Sequence, residues 1–256
     1  MHPFPGWTDI DNRTLQTNAR LGAVLAFVAG AINAGGFLAV GTYTSHMTGV
    51  VSALADNLVL GNLALAAASL GALAAFLLGA MTTAWLVNWG LREKLASAYG
   101  LPLLLESALL LIFGIFGAAI SLWSNFFVPL TVLLLCFIMG LQNAVITKIS
   151  KAEIRTTHVT GLVTDLGIEL GKLLYINRIN RINRTQADPA EPVRANRQKL
   201  RLHLLLVSSF FIGAVCGALG FKFWGYVTTL PLALTLLLLV WRPVMRDMLA
   251  RLAHSH

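Results

Sequence analysis

Residues 21–41 read LGAVLAFVAGAINAGGFLAVG, and residues 127–147 read FVPLTVLLLCFIMGLQNAVIT. Each stretch is uncharged and about 20 residues long, the length that spans a hydrocarbon core about 30 Å thick. Lipid offers the backbone no hydrogen-bond partners, so such stretches must fold as helices. Each also holds the same polar interruption: Gly30, Asn33 and Ala34 in the first, Gly140, Asn143 and Ala144 in the second. Residues 63–89, 101–121, 202–221 and 225–241 are apolar over a comparable length. The alternating pattern of a membrane β-barrel strand is missing from the sequence. The expected fold class is therefore an all-α polytopic membrane protein.

Composition agrees. Of 256 residues, 57% are hydrophobic and 12% charged, against about 25% charged in a soluble domain. The net charge of +8 does not call for nucleic acid, because the basic residues sit between the apolar stretches. That is the positive-inside pattern of a protein whose partner is the lipid bilayer. Cys136 and Cys216 lie inside apolar stretches and read as small core residues rather than a disulfide. Walker, HExxH, GxSxG and CxxC motifs are all missing, so no enzyme, cofactor or metal site is expected. The first 20 residues are polar, which makes residues 21–41 an uncleaved signal anchor.

Two stretches are too short or too polar to cross comfortably: Val50–Asn62, with Asp56 and Asn57 inside it, and Thr157–Leu174. With neither crossing, six spans put every Lys and Arg but Lys222 on one side. That side is the cytoplasm, with both termini in it. The expected organisation is a cytoplasmic segment 1–20, a membrane repeat 20–121, a second repeat 127–242 and a cytoplasmic tail 243–256. A flexible basic cytoplasmic loop, 176–201, interrupts the second repeat. The two short stretches become half-inserted or broken helices.

The repeat rests on four matched elements in one order. Gly-x-x-Asn-Ala is followed in the first copy by Ser45-His46-Met47-Thr48-Gly49 and in the second by Thr157-His158-Val159-Thr160-Gly161. Phe76-x-x-Gly79-Ala80 then matches Phe210-x-x-Gly213-Ala214, and Leu101-Pro102-Leu103 matches Leu230-Pro231-Leu232. Three spans per copy invert the second copy relative to the first, as in many secondary transporters. The two His-x-Thr-Gly elements should then enter the bilayer from opposite sides. Thr48 and Thr160 would serve as caps of the resuming helices, and His46 and His158 would face the interior.

These motifs, over residues 20–242, resemble the YoaK-like or DUF1275 family of bacterial inner-membrane proteins. The resemblance implies a multi-pass inner-membrane location and no settled activity. In the familiar pattern an Asn follows the first Thr-Gly; here Val50 stands there.

Ionisable groups are costly in a membrane, about 2.5–3.5 kcal/mol at a helix centre, which makes Asp56, Glu106, Asp165 and Glu169 candidates. Asp165 and Glu169 share a helical face and have Lys172 and Arg178 as possible ion-pair partners. Glu106 stands five residues into its span, within reach of Lys94. Asp56 has no cation nearby in sequence, so it should lie in a protein-lined pocket against Asn143, His158 or Thr160 of the other repeat. The expected substrate site comprises Asn33, His46, Thr48, Gly49, Asp56, Gln142, Asn143, His158, Thr160, Gly161, Asp165 and Glu169. It suits a small secondary transporter or permease for an unknown small polar solute or ion, with proton coupling an option. The alternative is a scaffold or sensor whose basic loop recruits a cytoplasmic partner. A homo-oligomer is compatible with both.

Overall fold

A computed structural model describes residues 14–117, 124–150, 154–182 and 195–254. The helices are α1 (Leu15–Val40), α2 (Met47–Val59), α3 (Leu63–Arg92), α4 (Leu101–Gly117), α5 (Ser124–Ile149), α6 (Val159–Ile182), α7 (Arg197–Trp224) and α8 (Thr229–His254). A 3-10 turn, Gly225–Thr228, joins the last two. Among the described residues there is no strand.

Local chemistry sets the ends. Thr14 caps α1 by accepting the Thr17 N–H, and Asn196 caps α7 by accepting those of Gln198 and Lys199, filling orphan donors of the first turn. Gly41, at φ 73°, closes α1 with its N–H on the Phe37 carbonyl, and Gly61, at φ 74°, turns α2 into α3; both angles favour glycine. Two boundaries differ from expectation. α6 continues past Leu174 to Ile182, and α7 begins at Arg197, so both helices intrude on the segment 176–201 expected to be a flexible loop; residues 183–194 lie outside the described residues. α8 likewise runs through Pro243 to His254, where a tail was expected.

Apolar stretches long enough to cross a membrane are Gln16–Val40, Leu63–Arg92, Val128–Ile149 and Arg197–Leu252, the last containing α7 and α8. Half of the α1 stretch and 56% of the α5 stretch are buried, against 22% for α3, so α1 and α5 form the centre. Outward, α3 shows Leu70, Leu77, Met81 and Trp85, and α7 shows Phe211, Ile212, Val215 and Leu219. An apolar surface this continuous belongs against lipid. Along α7, the 21 steps from Arg201 to Lys222 cover about 32 Å, one bilayer core.

Two glycine crossings hold the bundle. On α1 and α7, a methyl group added to Gly30 would fall on the Phe210 carbonyl, and one added to Gly213 on that of Phe27. On α3 and α5, Gly79 meets the Phe137 carbonyl and Gly140 that of Phe76 in the same way. Small residues let the backbones approach this closely. α1 and α7 run parallel, as do α3 and α5. The central pair is antiparallel: the Gln142 side chain donates to the Leu25 carbonyl at 3.2 Å, while Gly36 faces Leu135. α4 and α8 are antiparallel too, with Gly100 against Val240 and Ser107 donating to the Ala233 carbonyl at 2.9 Å.

These pairings gather the charges at one end of the bundle. Lys148 reaches Asn88 at 2.8 Å, Gly22 meets Ile154, and Asp247 accepts the Ala96 and Ser97 N–H groups at 2.9 and 2.8 Å. Arg20, Arg92, Lys94, Lys148, Arg155, Arg197, Arg201 and Arg246 therefore share this basic end, and Lys222 stands at the other.

Candidate functional site

Asn33 and Asn143 each sit three residues, about 4.5 Å, past a crossing glycine. Because α1 and α5 are antiparallel, the two lie on opposite sides of the crossings. Each carboxamide holds the chain that folds back to it. Asn33 Oδ1 accepts from the Ser45 hydroxyl at 2.9 Å and its N–H at 3.2 Å; Asn143 Oδ1 accepts from the Thr157 hydroxyl at 2.6 Å. After these anchors α2 and α6 begin. α2 returns toward the end where α3 starts, while α6 runs back toward the basic end, where Glu169 Oε2 accepts the Asn196 N–H at 2.6 Å.

The His-x-Thr-Gly elements start these helices, by a different device from the one expected. His46 and His158, not the threonines, occupy the capping position: their carbonyls accept the Val50 and Leu162 N–H groups, each at 3.1 Å. Each imidazole then folds over the glycine three residues on, so a methyl group on Gly49 would fall on the His46 ring and one on Gly161 on the His158 ring. The spacing His-x-x-Gly is thereby explained by packing. His46, Thr48, His158 and Thr160 are exposed, which corrects the expectation of inward-facing histidines. They project from helices that pack mainly on α3 and α7, on the outer side of the crossings.

The structure assembles the expected residues into separate groups instead of one central site. Asn33, His46, Thr48 and Gly49 form one, and Asn143, His158, Thr160 and Gly161 the other. Gln142 is fully buried between α5 and α1. Asp165 lies 3.8 Å from His203 of α7. Glu169 pairs with Lys172 at 2.8 Å, and that hydrogen bond, followed by the one from Asn196, holds its carboxyl below the usual range. Its role is to tie α6 to the start of α7. Arg178, its other possible partner, has a side chain outside the described set.

Asp56 is exposed on α2, a helix with no buried residue, and does not reach the second repeat. It stands nine residues, about 13.5 Å, beyond the start of α2, out toward the bundle end. Glu106 is the reverse case. It is fully buried, neither of its oxygens has a hydrogen-bond partner among the described residues, and Lys94, its expected partner, is exposed. Among the described residues no group of three His, Cys, Asp or Glu could hold a metal.

Helices of bilayer length, an apolar exterior and charge at one end define an all-helical membrane protein. The chain belongs to the DUF1275 family, described as "Protein of unknown function", whose family model matches residues 21–241. No curated protein and no solved structure matches it.

Proposed function

We propose that the protein is a small inner-membrane permease for a small polar solute or ion, built from two inverted three-span repeats with both termini in the cytoplasm. The observation that carries this reading is the pair of folded-back segments. Each leaves a central helix, bonds to a mid-helix asparagine, and starts a helix beside the crossing level. One of these helices heads for each end. In secondary transporters, broken helices paired across an inverted repeat bring helix N-termini and free backbone groups to the middle of the membrane. Three things support the inversion: equivalent helices α1 and α5 are antiparallel, equivalent helices α4 and α8 are antiparallel, and the two glycine crossings match residue for residue. α1, α3, α4, α5, α7 and α8 supply six spans; α2 and α6 supply the two half-inserted helices. The groups around Asn33 and Asn143 would handle solute from opposite sides.

The test is flux. The purified chain in proteoliposomes is screened by solid-supported-membrane currents against small polar solutes and ions, with and without a pH gradient. A ligand that raises the unfolding temperature narrows the panel. Solute-dependent current that falls in Asn33→Ala and in Asn143→Ala supports the reading. Equal current in empty liposomes across the panel overturns it.

A further inference from the structure

We propose that Glu106 is a proton-binding site enclosed within the bundle. α4 turns Leu103, Glu106, Leu110 and Phe113 to one side at helical spacing, and all four are buried. Ser107, the donor next in sequence, is committed to the Ala233 carbonyl. None of the described titratable and charged groups on the elements packed against α4 bonds to Glu106. On α8, Asp247 binds the Ala96 and Ser97 amides, and Arg242 and Arg246 are exposed toward the basic end. On α5, Lys148 reaches Asn88 and Cys136 is a buried thiol; on α3, Arg92 is exposed. Tyr226 of the 3-10 turn packs edge-on to Phe113 at 5.4 Å.

Depth makes the position unusual. Aligning Leu101-Pro102-Leu103 with Leu230-Pro231-Leu232 sets Glu106 opposite Thr235. Because Ser107 faces Ala233, those two lie within a turn of each other, where α4 and α8 exchange places about the repeat axis. One half thus carries a carboxyl there and the other a threonine, whose hydroxyl is bound to Pro231. Toward the non-basic end, Phe113, Phe221 and Tyr226 close over the position.

A carboxylate with no donor and no cation among the described residues is strongly disfavoured in such surroundings, so the closed bundle holds the acid form. The proton adds to one carboxylate oxygen as water leaves and returns to water when the helices part; no bond to carbon changes. The inference rests on the permease reading only for what the proton would drive.

Infrared spectroscopy of the full chain in liposomes, grown with carboxyl-labelled 13C-glutamate, reads the group without flux. The expected result is a carboxylic-acid carbonyl band at neutral pH that shifts with the label, moves in D2O and disappears reversibly on alkaline titration. It should be missing from Glu106→Gln, which keeps the wild-type unfolding temperature. Should that variant fail to fold, the label still places the band on a glutamate, and Glu93→Gln, Glu153→Gln, Glu169→Gln and Glu191→Gln should each leave it in place; loss of the band in one of them overturns the proposal. A carboxylate at neutral pH overturns the proposal, as does an acid band that ignores D2O and pH until the protein unfolds. A titrating band without flux for any solute upholds the site and removes the permease. Flux in Glu106→Gln with unchanged pH dependence upholds the permease and removes Glu106 from its proton coupling, while the infrared band alone decides the site.

Discussion

Replacing Gly140 by Ala puts one methyl group into the α3–α5 crossing. The new carbon would overlap the Phe76 carbonyl oxygen and stand 2.9 Å from that carbonyl carbon and 3.1 Å from Phe76 Cα. Carbon atoms in contact sit about 3.5–4.0 Å apart, so relief of the carbonyl-carbon contact alone needs about 0.6–1.1 Å of helix separation. A gap of that size forfeits a quarter to a half of each dispersion well, taken at its middle value of about 0.15 kcal/mol per atom pair. Over about forty pairs, the contacts of one buried leucine, the loss is about 1.5–3 kcal/mol, matching the usual cost of overpacking. Alanine returns about 0.5–1 kcal/mol as the better helix former, leaving a net loss of about 1–2 kcal/mol. Thermal unfolding in detergent measures this, with Gly167→Ala as control, because nothing lies within 4 Å of a methyl group there. Gly30→Ala should match Gly140→Ala, while Gly167→Ala should be neutral or stabilising. If Gly140→Ala unfolds with the control, the backbones are not in contact and the crossing is misread.

Asn143→Ala removes the acceptor of the 2.6 Å Thr157 bond and should cost about 0.5–1.5 kcal/mol; unfolding of Asn143→Ala and Thr157→Val alone and together will show whether the losses couple. Asp56→Asn should leave stability within about 0.5 kcal/mol of wild type, as for an exposed group; a drop well beyond that in the same assay would reveal a partner. Glu169 has a carboxyl held below the ordinary glutamate value by the bonds from Lys172 and Asn196. Its contribution is therefore complete above that value and is lost as pH falls through the lower folded value. Unfolding measured on the acid side should show wild type losing its advantage over Glu169→Gln; an advantage constant through that range would contradict the Lys172 and Asn196 bonds.

The sequence compared with itself located the residues at both glycine crossings, since Gly30, Gly140, Gly79 and Gly213 all belong to the matched motifs. It could not say what each glycine touches, because a partner such as Phe210 is set by tertiary packing and leaves no local pattern. The His-x-Thr-Gly elements were legible as helix starts. Their geometry was not, since a histidine ring lying on a glycine has no propensity signature. Asp56 was misplaced by a sound cost estimate applied at the wrong depth: the start of α2 beside Asn33 carries the acid out toward the bundle end. Glu106 was misplaced for the opposite reason. Lys94, in a turn at φ 53°, points to solvent, while Asp247 draws the start of α4 inward through Ala96 and Ser97. That long-range bond is invisible in the local sequence.

Both glycine crossings join a helix of one half to a helix of the other, and this has a bearing on how the chain is made. Gly79 on α3 finds its groove partner only when Gly140 has been synthesised, 61 residues later. Gly30 waits for Phe210 and Gly213, about 180 residues behind it. At about 5–20 residues per second, the α3 groove stays open to lipid for about 3–12 s and the α1 groove for about 9–36 s. The first half therefore enters the bilayer with its two glycine grooves unfilled. A ribosome that stalls before α7 leaves a product with one crossing closed and the other open, a natural substrate for membrane quality control.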